Sequence, residues 1–236
     1  MRRPALLSRR FIVLCTFLGI AIFGWLVWRN SPSRRQQPQT RAITIEKQPA
    51  AFANHTFDPS SPPRDMPTLA YGEEAVCDSN LTSNAIVGGE SQKTDSTHAT
   101  VTITKVKMIL ALSINVWVPN GATQHVVEHE DGHRQISEYY YRTADKLAEQ
   151  IAATYVGKQI GVDGTDLDAQ LETALHQTAT DITREFDQEL SLAATQQYYD
   201  TITDHGRNES DVKEAVAAAV ENVRMVSIQP PATTAK

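Results

Sequence analysis

Cysteine is nearly absent from this 236-residue chain, with only Cys15 and Cys77 present. That excludes a disulfide framework and leaves Cys77 as a single thiol, for which burial is the commoner fate. No second Cys or His stands near Cys77 at ligand spacing, so it is not a zinc ligand. Positive charge is in deficit too: 22 Lys and Arg against 28 Asp and Glu give a net charge of −6. A pI near 5.6 excludes nucleic acid as the main partner, because phosphate binding needs a basic surface. Internal repeats and nucleic-acid motifs are lacking. What remains, 41% hydrophobic and 21% charged residues, is the composition of one globular domain with appendages.

Long hydrophobic runs are absent except for one. Phe11 to Trp28, FIVLCTFLGIAIFGWLVW, is uncharged and about 18 residues long, near the lower limit for crossing a bilayer. Arg2, Arg3, Arg9 and Arg10 precede it and favour a cytoplasmic N-terminus, although Arg29, Arg34 and Arg35 follow. No small-x-small cleavage site closes the run, and Trp25 and Trp28 suit an interfacial anchor. Leu14 before Cys15 does not fit a lipoprotein signal. Residues 1–30 are therefore expected to form a cytoplasmic tip and an uncleaved single-pass transmembrane helix in the inner (cytoplasmic) membrane, with the rest of the chain on the periplasmic side.

Residues 31–67, rich in Pro, Ser and Gln, read as a linker. From Thr68 to Thr97 the pattern is irregular. Ala99 to Lys107 then alternates β-branched residues, and Met108 to Val118 continues the period with Leu110, Leu112, Ile114 and Val116 on one side. Two or three strands are expected, ending at Pro119-Asn120-Gly121. A helix follows from about Ala122 to Thr154, with an apolar stripe through Val126, Ile136, Ala144 and Ile151. Gly157 to Gly164 breaks the pattern. A second helix is expected from Thr165 or Asp166 towards Tyr198, and a third from about Ser210 to Met225. Residues 229–236 read as a disordered tail, which makes 68–228 the folded domain.

Within the first helix lies His129-Glu130-Asp131-Gly132-His133. His-Glu-x-x-His on a helix is the arrangement by which zinc hydrolases hold a metal and its catalytic base. Residues four apart share a helix face, so the two imidazoles can bind one ion. Glu130 then lies beside a water that the ion activates. Both histidines fall on the apolar stripe, where unsatisfied ring nitrogens cost roughly 1–3 kcal/mol each. Gly132, with no side chain, lets a neighbouring segment approach the site.

A catalytic zinc takes three protein ligands and keeps one position open. His55 lies in the linker, His98 before a strand, and His176 on a solvated helix face. His125 is one turn ahead of His129, and three successive turns do not surround one ion. His205, in Tyr199-Asp200-Thr201-Ile202-Thr203-Asp204-His205-Gly206, is better placed, since a Gly-ended helix can turn the imidazole back. Glu185 and Glu189, in line with the leucines of the second helix, are the alternatives.

Together, HEDGH and YDTITDHG make the chain resemble a bacterial family of unknown function whose members are predicted to be exported zinc-dependent proteases. The resemblance covers roughly Tyr71 to Arg224. It implies His129, His133 and His205 as metal ligands and Glu130 as the catalytic residue. The expectation is then an α+β, zincin-like domain with a short antiparallel sheet packed on two long helices. The expected protein is a membrane-anchored Zn2+-dependent peptidase that hydrolyses peptide or protein substrates through a zinc-bound water, with Glu130 as general base. The rival expectation is a non-catalytic envelope interaction protein whose metal site is structural.

Overall fold

The computed structural model describes residues 42–69 and 72–228 of the chain. The expected anchor and the C-terminal tail lie outside the described residues. Among the described residues, no helix is long and apolar enough to cross a membrane.

A single strand, β4 (His98–Pro119), organises the sheet. Four other strands pair with it: β1 (Ile43–Lys47), β2 (Ala51–Phe57), β3 (Val76–Lys93) and β5 (Gln159–Asp163). β3 runs antiparallel along almost the whole of β4, from Val76 opposite Trp117 to Lys93 opposite Ala99. A strand has two edges, so β5, β1 and β2 must follow one another along the other edge. Of these, β5 is antiparallel, while β1 and β2 are parallel to β4.

This corrects the expected fold. In place of an α+β domain on a short antiparallel sheet, the chain forms an α/β arrangement around a mixed five-stranded sheet. Its central strand is 22 residues long, and two of its four pairings are parallel. The expected linker is corrected as well, because β1 and β2 run through residues 31–67 and β3 through the stretch read as irregular.

Alternation along β4 explains its length. Ala99, Val101 and Ile103 are buried, then Val106, Met108, Leu110, Leu112 and Ile114. The parity changes where Gly88 pairs with Lys105 but Gly89 pairs with Ile103, leaving Thr104 without a partner. Such a bulge adds one residue to one strand, so both halves of β4 bury their apolar side chains, Ala99 and Val101 with Val162, Leu167 and Leu171, and Ile103 onward in the main core. Each Val, Ile, Leu or Met among them is worth about 1.5–3 kcal/mol on full burial.

Helix α1 (Gln124–Tyr155) starts on Thr123, whose side chain accepts the Val126 N–H. The expected stripe is the buried one: His129, Ile136, Ala144 and Ile151 all face inward. Helix α2 (Leu167–Leu190), capped by Asp166, buries Leu171, Thr178, Ile182, Phe186 and Leu190. Ser191 adopts a left-handed conformation (φ 57°, ψ 14°) and separates α2 from α3 (Leu192–Thr203). The second expected helix is thus two. α4 (Val212–Ile228) closes the domain and packs with α1 and α3, burying Ala215 and Ala219 against Ile136 and Tyr199.

Candidate metal centre

Two helices and one strand build the site. On α1, the four-residue spacing puts the rings of His129 and His133 together, their centroids 4.8 Å apart and their planes at 87°. From α3, Asp200 reaches between them. Its Oδ1 is 2.8 Å from His133 Nε2 and 3.5 Å from His129 Nε2. One donor atom from each of the three residues lies within 4.8 Å of the others, so His129, His133 and Asp200 form a group able to hold a metal ion.

The crossing of α1 and α3 depends on two glycines. Tyr199, fully buried, lies across Gly132, where any β-carbon would collide with the phenol oxygen. Its hydroxyl donates to the His129 carbonyl at 3.2 Å, and its ring stacks on His129 at 5.1 Å. At the end of α3, Asp204, His205 and Gly206 all have positive φ (49°, 55° and 72°). This turn brings Gly206 so near to His129 that a β-carbon there would lie 2.7 Å from Cγ. Only glycine accepts both that conformation and that contact.

Electrostatics mark Asp200, His133 and Glu130. Burial opposes the charge on Asp200, yet the two imidazoles beside it outweigh burial and hold its carboxyl well below the usual carboxylate range. His133 loses by burial and gains more from Asp200, Glu130 and Gln196, so it is raised above the ordinary histidine value. Glu130 is buried, and desolvation pushes its carboxyl up to about 7. His133 opposes that shift, Glu73 and Asp200 add to it, and the Cys77 N–H, donating to the carboxylate, opposes it again.

A cavity of about 280 Å³ opens over these groups, walled by His129, Glu130, His133, Gln196 and Asp200 on the helical side and by Val76 to Ser79 of β3 opposite. Comparison of the chain with protein-family models, curated proteins and solved structures finds no match. The family resemblance therefore rests on its motifs alone.

The expected third ligand is not where the sequence pointed. His205 is half exposed, with Nδ1 3.9 Å from Glu73 Oε1, and it lines a separate cavity of about 100 Å³ on the other side of His129 and Glu130. Glu185 accepts a hydrogen bond from Tyr155 at 2.8 Å, at the far end of α1 and on the order of 30 Å along the helix from His133. Glu189 is exposed on α2. Asp200 was missed, although it belongs to the same YDTITDHG segment. The readable signal was its spacing from Gln196: the two polar residues are one turn apart on one flank of α3, beside the buried line Thr195, Tyr199 and Thr203.

The donor set suits a zinc-class ion. Two imidazoles and one carboxylate are its usual ligands, and three protein ligands are the catalytic number. His129 turns Nε2 to Asp200 at 3.5 Å, and among the described residues its buried Nδ1 has no hydrogen-bond partner.

Proposed function

We propose that the protein is a zinc-dependent peptidase, anchored in the cytoplasmic membrane by Phe11 to Trp28 with its domain on the periplasmic side. The observation that carries this reading is the closure of His129, His133 and Asp200 around one point beside the buried carboxyl of Glu130. When bound there, zinc supplies Lewis acidity towards a carbonyl oxygen and makes water acidic enough to ionise near pH 7.

The chain's own groups do the rest. His129, His133 and Asp200, which line the cavity, would hold the ion. Glu130, with a pKa of about 7, accepts a proton from the attacking water and returns it to the departing amine, the balance a general base needs at neutral pH. The Cys77 N–H keeps its carboxylate turned into the cavity. β3 lies along the opposite wall, where an extended peptide finds backbone groups to pair with.

Zinc content and cleavage of an unfolded protein such as casein test the reading. The wild-type protein is expected to bind about one zinc per chain and to lose cleavage with a chelator. Glu130→Gln is expected to keep the zinc and abolish turnover. Turnover in that variant equal to wild type would exclude Glu130 as the general base, whereas a fourth protein ligand sealing the ion would leave a structural site in an interaction protein instead.

A further inference from the structure

Gln196 is not among the three residues that close on one point, yet both ends of its side-chain amide are hydrogen-bonded to neighbours at the centre. Its amide nitrogen donates to the His133 carbonyl at 3.0 Å and to Ser137 Oγ at 2.9 Å. Ser137 Oγ, itself fully buried, donates to the same carbonyl at 3.0 Å. Both targets of the amide accept hydrogen bonds, so the NH2 end belongs there and the amide oxygen is the atom left over. That oxygen meets His133 Nδ1 at 2.5 Å.

An oxygen lone pair needs a hydrogen on the nitrogen it faces. Nδ1 therefore carries the proton, and the lone pair of the neutral ring sits on Nε2. Nε2 is the atom 2.8 Å from Asp200 Oδ1. In the ion-free protein Nε2 meets that carboxylate as an N–H donor; a divalent ion would displace this proton, and with Nδ1–H held by Gln196 the lone pair freed for the ion is the one on Nε2. Gln196 and Asp200 stand one turn apart on α3, so a single helix face supplies one ligand and orients another.

We infer that Gln196, braced by Ser137, is a positioning residue that fixes His133 as an Nε2 ligand to a divalent metal by accepting its Nδ1 hydrogen. The inference rests on the metal-centre reading above and goes beyond it, because nothing in the HEDGH pattern requires a glutamine on another helix. Hydrogen-bond partners of this kind orient ligating histidines and typically change metal affinity by 10–100-fold when removed.

The test compares zinc affinity, by competition with a chromophoric chelator, in the full chain and in Gln196→Met, Gln196→Glu and Ser137→Ala. Met keeps the volume and loses the acceptor. Glu keeps the acceptor and adds a charge. Positioning requires Met to weaken zinc binding by about 10–100-fold, Glu to bind more tightly than Met, and Ser137→Ala to fall between wild type and Met. A packing role requires the opposite order, with Met near wild type and Glu the poorer binder, and that order would overturn the assignment.

Cobalt(II) in place of zinc adds a spectroscopic readout, since a reoriented His133 moves the visible bands of the Met variant and leaves those of Glu near wild type. Imidazole nitrogen NMR of the zinc-loaded wild type needs no variant and is expected to show His133 with Nδ1–H and a metal-bound Nε2. The reverse pattern would overturn the assignment even if a variant fails to fold. Wild-type protein that takes up neither zinc nor cobalt removes the metal centre and the role of Gln196 with it. Wild-type binding with an unweakened Met variant removes the role of Gln196 alone.

Discussion

Helix propensity and tertiary contact make opposite predictions for Gly132→Ala. In an exposed helix interior the change stabilises by up to about 1 kcal/mol. Here the new methyl group would meet Tyr199, colliding with its hydroxyl oxygen and lying 2.5 Å from Cζ and 3.1 Å from Cε1. The tyrosine has no room to retreat, because its ring is fully buried, stacked on His129 at 5.1 Å and edge-on to His133 at 4.8 Å. Overpacking of this kind costs about 1–3 kcal/mol, and a displaced ring also gives up its bond to the His129 carbonyl, worth about 0.5–1.5 kcal/mol. After the propensity gain is subtracted, a destabilisation of about 1–3 kcal/mol remains. For a domain of this size that is a fall in Tm of about 2–12 °C, measured by circular dichroism on metal-free protein. Adding Tyr199→Phe is expected to recover only part of the loss, since Cζ stays in the way. A Tm at or above wild type for Gly132→Ala would refute the close approach of α3 to α1.

The choice of third ligand has its own test. Zinc bound at the proposed centre at a thousandfold excess over Kd is expected to stabilise the protein by about 4 kcal/mol, roughly 8–16 °C in Tm, and Asp200→Asn is expected to lose most of that gain while His205→Ala keeps it. The opposite result would return the ligand role to His205. Burial pushes the Cys77 thiol up to about 12, with Glu130 adding to it, so in a Cys15→Ser chain it is expected to resist alkylation at pH 8 until the fold is denatured; rapid modification of the native protein would contradict this. At the turn before β4, the hydrogen bond from His98 to Asp95 raises the histidine above its ordinary value. Its contribution to folding is full below the unfolded pKa and disappears as pH rises through the folded one. NMR titration is expected to place the His98 midpoint above 6.5 and to return it towards that value in Asp95→Asn; an unchanged midpoint would deny the contact.

The helices were legible because their burial repeats in the sequence. Ile136, Ala144 and Ile151 mark one face of α1 without help from anything distant. The sheet was harder to read, since β3 is held by its backbone pairing to β4 and carries DSNLTSN where an apolar alternation would announce a strand. β5 is only five residues long and contains Gly161, so it passed for a turn. Ser191 gives no local warning of its left-handed conformation, and an unbroken helix through it would have carried Asp200 elsewhere. The histidine pair needed only a spacing of four. The carboxylate between them depended on that break, on Gly132 and on the turn at Gly206, three tertiary conditions that a motif does not record.

The long chain separation within the metal centre bears on synthesis. Asp200 follows His133 by 67 residues, an interval of roughly 3–13 s at ribosomal rates of about 5–20 residues per second. Through that interval the growing chain has the histidine pair without Asp200 and a core face that still awaits Tyr199. A metal held by all three residues would therefore bind only after α3 has been made, and a chain cut short before α3 would carry the signature pentapeptide without Asp200.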